Sequence, residues 1–190
     1  MNYRDSTAKL AGYRHQIEEI RHRMREVQAS IEPEQVQDYT FATPDGSVRL
    51  SELFAGKRDL IVIHNMGASC PYCTLWADGF NGVYPHLADR ASFVVSSPDA
   101  PDAQARFATS RGWRFPMVSH QGSSFAADMG YVGKEGGALP GVSVFRREAD
   151  TILRVADTGF HPRDDFCLVW HLFDLLQDGA AGWNAQFSYI

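Results

Sequence analysis

The chain has 190 residues, of which 44% are hydrophobic and 12% aromatic, enough for one folded domain with a sizeable core and too few for two large ones. Eighteen basic residues against 23 acidic ones leave a net charge of −5, which gives no reason to expect nucleic acid or an anionic membrane as partner. The expected partner is a thiol, a small molecule or another protein. The first residues lack the basic head and apolar stretch of a secretion signal, and no apolar run approaches the roughly 18 residues of a membrane span, so a cytoplasmic protein is expected.

In chain order, Leu10, Tyr13, Ile17, Ile20, Met24, Val27 and Ile31 recur at alternating steps of three and four amid Arg, His and Glu. That spacing makes an apolar stripe on a helix about three heptads long, read either as a dimerising arm or as a helix lying on its own domain. Pro33 ends it, because proline disfavours the helical conformation of its predecessor. Tyr39-Thr-Phe and Ser47-Val-Arg-Leu50 flank Pro44-Asp45-Gly46, a hairpin signal, and Ser51 is placed to cap a short helical turn.

Leu60-Ile-Val-Ile-His64 reads as a strand buried on both faces. It leads into Cys70-Pro71-Tyr72-Cys73. Trp76, Phe80, Val83, Tyr84 and Leu87 continue a helical face that Gly79, Gly82 and Pro85 weaken, so a kink or early end is expected. Ser92–Ser96 is the next strand, Ala103–Arg111 a helix closed by Gly112, Phe115–Ser119 a short strand and Ser124–Met129 a short helix. The glycine-rich stretch 130–137 reads as a loop. Gly141–Arg147 and Thr151–Val155 make an antiparallel hairpin, and a last helix over Asp164–Gln177 is expected to bury Phe166, Val169, Trp170, Phe173 and Leu176. Strands alternating with helices define an α/β class. The expected organisation is an N-terminal helical arm over 1–35, a domain over 36–178 and a tail over 179–190.

Three cysteines are too few and too odd in number for a disulfide framework, so the close pair points to catalysis or metal binding. A thiolate is the attacking species in disulfide exchange, and a helix N-terminus lowers a thiol pKa through its free N–H groups and dipole. Strand, turn and helix put Cys70 at that N-terminus, with Pro71 in the first turn, where its missing N–H costs little. Cys70 is therefore the expected nucleophile and Cys73, one turn on, the thiol that resolves a mixed disulfide. A structural zinc site would need two further ligands, the best being Cys167 and His171 at i, i+4 on the last helix. The remaining alternative is a pair of unreactive core thiols.

From Tyr39 onward the chain resembles the thioredoxin superfamily. Cys-Pro-Tyr-Cys is similar to the glutaredoxin motif, and the segment from Phe41 to Phe54 with the strand Leu60–His64 resembles the peroxiredoxin and thiol-reductase branch. The stretches from Leu53 through His64, Cys70 to Asp78, Gly112-Trp-Arg-Phe-Pro116 and Gly141–Phe145 resemble an uncharacterised, mainly bacterial family of predicted dithiol-disulfide oxidoreductases or isomerases. The resemblance implies a three-layer α/β/α sandwich with a mixed sheet. It implies a cis-proline facing the cysteines, for which Pro140 is the candidate with Pro116 the alternative, and a Leu139 backbone that pairs with extended substrate. Tyr72 with Leu139-Pro140 would then line the contact surface. Thioredoxins bury an acid six residues before the first cysteine; here His64 holds that place, either as acceptor of the Cys73 proton or as a hydrogen-bonded structural histidine.

Peroxiredoxins place a proline and a Thr or Ser seven and three residues before the reactive cysteine. Ile63 and Gly67 stand there before Cys70, and Met66 and Cys70 before Cys73, which argues against a thiol peroxidase. The expected activity is thus thiol–disulfide exchange on a disulfide-containing protein or small thiol, with glutathione or a partner reductase as electron source and no metal or organic cofactor. A non-catalytic binding module on the same fold is the rival, and a homodimer through the arm is the expected assembly if Ile17 and Ile20 face a second copy.

Overall fold

The computed structural model describes residues 2–189. They form two compact units, divided after Pro33. The first is helix α1, Tyr3–Ala29, started by the Asn2 side chain, which accepts the Asp5 N–H at 2.9 Å. No residue of α1 is buried, and its apolar stripe is exposed from end to end.

The second unit is built on one eight-stranded sheet. Its strands are β1 (Glu34–Val36), β2 (Thr40–Thr43), β3 (Gly46–Arg49), β4 (Asp59–His64), β5 (Ser92–Ser97), β6 (Met117–Ser119), β7 (Gly141–Glu148) and β8 (Thr151–Gly159). They lie in the order β1-β8-β7-β4-β5-β6-β2-β3. β4, β5 and β6 are parallel neighbours, and every other pairing is antiparallel, so the sheet is mixed as expected. The helices are α2 (Leu50–Leu53), α3 (Pro71–Arg90), α4 (Pro101–Arg111), α5 (Phe125–Asp128) and α6 (Leu168–Phe173).

Side chains alternate across β4, and the alternation splits the core in two. Leu60 and Val62 pack with Phe41, Leu50, Phe54, Phe125 and Phe145 on the face that α2 and α5 cover. Ile63, with Ile61 packed against the same cluster, meets Cys73 and Trp76 of α3 together with Phe93, Phe115, Phe160 and Trp170. The result is the three-layer α/β/α sandwich.

Four expectations need correction. Helix α3 runs the full distance to Arg90 despite Pro85. Proline there removes the donor to the Asn81 carbonyl four residues earlier, and the Arg114 guanidinium takes its place, donating to that oxygen at 3.0 Å. Ser51 does not cap α2; it lies inside the helix, and Asp38 receives both its N–H (2.8 Å) and its hydroxyl (2.7 Å). The last helix is far shorter than Asp164–Gln177. Asp164 acts as a turn anchor instead, accepting from the N–H groups of His161 and Phe166 and from the Trp76 indole at 3.2 Å, so the helix begins only at Leu168 and leaves Phe166 and Leu176 exposed. Every described peptide bond is trans, those of Pro140 and Pro116 included, so neither is the expected cis-proline.

The tail packs back on this unit. Trp183 sits edge-on to Trp170 and Phe173, Phe187 edge-on to Phe107, and the Phe187 carbonyl accepts from Arg111 at 2.6 Å.

Candidate active site

The loop 65–69 leaves the C-terminal end of β4 and delivers Cys70 to the N-cap of α3. Three polar contacts shape it. The buried Asn65 side chain accepts the Gly67 N–H at 2.8 Å, and the Asp99 carboxylate, from the turn after β5, accepts the Ala68 N–H at 2.9 Å and the Ser97 hydroxyl at 3.0 Å. Gly67 adopts φ +107°, and a Cβ there would lie 2.9 Å from both Asp99 oxygens, so glycine is needed for the backbone and for the close approach alike. The Cys70 N–H then closes the turn onto the Gly67 carbonyl at 3.1 Å.

At the helix start the two thiols differ sharply. Cys70 is half-buried, and its Sγ accepts the Cys73 N–H at 3.1 Å, the arrangement of an N-cap side chain. A hydrogen bond from the Cys73 thiol lowers the Cys70 pKa most, the N–H groups of Cys73 and Tyr72 add to it, and burial opposes; the net value is about 6. Cys73 is 2% exposed, and its thiol is pushed up, first by its hydrogen bond to Cys70 and then by burial, although the Met66 N–H points at its sulfur from 3.4 Å. At neutral pH the site therefore presents one thiolate, at Cys70, beside one protonated thiol, at Cys73. Pro71 stands at the first helical position, as expected.

Tyr72 is half-buried. Its hydroxyl donates to the Asn184 side chain of the tail at 2.8 Å, and its ring lies 6.3 Å from that of Trp170. Leu139-Pro140 lies at the end of the sheet from which the cysteine loop leaves, since Gly141 pairs with His64. The Leu139 N–H donates to the Tyr131 carbonyl at 2.9 Å, and the Pro140 carbonyl accepts the Phe160 N–H at 2.9 Å. The Leu139 side chain remains exposed.

His64 is not brought to the pair. It follows Leu60 and Val62 onto the sheet face opposite α3, where its Nε2 and the Ser143 hydroxyl are 2.9 Å apart and its ring stacks 3.7 Å from Tyr131 and 5.3 Å from Phe125. The neighbouring Gly141 makes room for that stack, because a Cβ on it would fall 2.1 Å from a Tyr131 ring carbon. Burial, with smaller effects from His120 and Arg154, pushes the His64 pKa down to about 3. Burial thus favours a neutral imidazole, on the sheet face opposite Cys73 and hydrogen-bonded to Ser143, the placement of the structural alternative.

The four-ligand zinc set does not assemble. Cys167 is the buried N-cap residue of α6 and His171 is half-exposed beside Asp165; among the described residues no three His, Cys, Asp or Glu side chains converge on a possible metal position. Nor is any described helix long and apolar enough to cross a membrane.

Asn65, Met66 and Asp99 shape the site without having been singled out in the sequence. Nothing in the local pattern marks them, since Asp99 lies 29 residues beyond Cys70 in an unremarkable Ser-Pro-Asp-Ala-Pro turn.

Comparison with known proteins bears on the family and the fold. A family model described as "Bacterial protein of unknown function (DUF899)" matches residues 9–187. No curated protein matches. Among solved structures, peroxidoxin BcpB from Mycobacterium tuberculosis is 27% identical, with a TM-score of 0.54 over 67% of this chain and 84% of that one. Reduced Prx3 from Vibrio vulnificus (13% identity, TM-score 0.57, 70% and 89% covered) and a peroxiredoxin-like protein from Aquifex aeolicus (17%, 0.53, 67% and 74%) share the fold. The fold is thus of the thioredoxin-like superfamily.

Proposed function

We propose that this chain, which belongs to the bacterial family of unknown function DUF899, catalyses thiol–disulfide exchange with Cys70 as nucleophile and Cys73 as resolving thiol. The observation that carries this reading is the asymmetry of the pair: a half-buried thiol of pKa about 6 capping a helix, next to a buried thiol held protonated. The Cys70 thiolate attacks a substrate disulfide, forming a mixed disulfide and expelling one substrate sulfur as thiolate. Cys73 then attacks the Cys70 sulfur, its proton leaving with the second substrate sulfur. The substrate disulfide is reduced to two thiols, and Cys70 and Cys73 are oxidised to a disulfide. Glutathione or a partner reductase returns the two electrons. A disulfide-containing protein or small disulfide is the substrate, with Tyr72 and the Leu139 side chain at the rim. Pro71 and Pro140 border the same surface.

A second reading is favoured by the likeness to peroxidoxin BcpB. In a thiol peroxidase the Cys70 thiolate would attack a peroxide oxygen, take up one oxygen as sulfenic acid and release an alcohol or water; Cys73 would condense with it, releasing water. Against this stands the place of Gly67, whose backbone packs against Asp99 and which offers no hydroxyl to a peroxide.

Single-turnover mixing of the reduced protein with glutathione disulfide and, separately, with hydrogen peroxide distinguishes the two. Alkylation and mass spectrometry would follow loss of the Cys70 and Cys73 thiols. Faster oxidation by the disulfide supports exchange, faster oxidation by peroxide supports the second reading, and rates no better than those of a free thiol of the same pKa overturn both.

A further inference from the structure

The seam of α1 follows a heptad. Leu10, Ile17 and Met24 fall at the a positions and Tyr13, Ile20 and Val27 at the d positions, and they are 46–66% exposed. A stripe of this length in water is a surface built to be covered. What flanks it decides by what. At the e positions stand Arg14, Arg21 and Gln28, and at the g positions Lys9, Gln16 and Arg23. The acidic residues of the helix are placed away from the seam: Asp5, Glu18, Glu19 and Glu26 lie at b and c, where Glu18 and Glu19 approach His15, and Glu26 approaches His22.

This pattern disfavours pairing of the arm with itself. In a parallel pair g faces the e of the next heptad, which sets Lys9 against Arg14, Gln16 against Arg21 and Arg23 against Gln28. In an antiparallel pair e faces e and g faces g, and again every meeting is basic with basic or with a neutral amide. No self-pairing forms a single flanking ion pair. We infer that α1 is a docking helix for a different protein, whose complementary helix carries an apolar heptad seam flanked by Glu or Asp. Such a partner buries the stripe and sets acidic side chains along its basic flanks, the device by which coiled coils choose partners.

The test uses the full chain and two synthetic 28-residue peptides with Ile and Leu at a and d, one carrying Glu at every e and g position and the other Lys. The Glu peptide is expected to bind at least about tenfold more tightly at about 0.02 M salt, with the preference shrinking toward 0.5 M as the flanking charges are screened. A chain with Lys9→Glu, Arg14→Glu, Arg21→Glu and Arg23→Glu should reverse the preference, which keeps the test sharp if seam variants alter the helix. Equal binding of both peptides overturns the inference. So does binding of neither, as a stripe covered by its own domain would give. A dimer of the chain alone that Ile17→Glu with Ile20→Glu converts to monomer overturns it as well, in favour of a second copy as occupant.

Discussion

On either side of β4 lies a group displaced from its ordinary chemistry, and the two are displaced for different ends. On the α3 side, beyond Ile63, the Cys70 thiol is lowered to about 6 by hydrogen bonds donated to its sulfur at a helix N-cap. On the other side, one residue along, His64 is lowered to about 3 by burial between aromatic rings. Donors aimed at an atom stabilise its charged form and make it reactive; removal from water destabilises the charged form and makes the group inert. One step along a strand decides which environment a side chain receives.

The largest effect that would break this comparison is on exchange itself. Cys70→Ser should lower disulfide reduction by at least about 10³-fold with the fold intact, whereas Cys73→Ser should still attack and should accumulate a mixed disulfide visible by mass spectrometry. Equal effects of the two, with no trapped adduct, would remove the assignment of roles.

His64→Ala should act on the other face alone. Loss of the buried ring and of the Ser143 partner is expected to cost about 2–4 kcal/mol in denaturant unfolding. The midpoint of Cys70 thiolate formation, followed by ultraviolet absorbance, should stay near 6. A shifted midpoint would return His64 to the redox site. Gly141→Ala tests the same packing from the neighbouring strand: its Cβ would collide with Tyr131, and a loss of about 1–3 kcal/mol is expected, again without a change in Cys70.

A further effect is one of pH. His64 has a lower pKa folded than unfolded, so between 6.5 and about 3 the unfolded chain binds the extra proton. The stability is complete above 6.5 and is lost as pH falls through that window, at up to about 1.4 kcal/mol per pH unit. His120, also lowered by burial, adds to the same slope. In His64→Gln the slope should flatten, as read from denaturation midpoints between pH 7 and 5.

Much of the fold was legible because its signals are local. The apolar run of β4, the glycine that closes α4 at φ +67° and the short turn between β7 and β8 each lie within a few residues of what they determine. Cys70 was legible for the same reason, through the strand, turn and proline around it. Features that depend on distant partners were not. The length of α3 rests on Arg114 reaching the Asn81 carbonyl, and the late start of α6 on Asp164 meeting Trp76. The cysteine loop rests on Asp99. Which face His64 would take was not legible, because a spacing of six residues fixes neither the face of the strand nor what lies across it.

The most direct test of the central claim is a redox titration of the purified protein in glutathione buffers, with free thiols alkylated and counted by mass spectrometry. One reversible two-electron transition confined to Cys70 and Cys73 is expected, with Cys167 alkylated or buried independently of it. Thiols that oxidise separately, or a transition that requires Cys167, would contradict it.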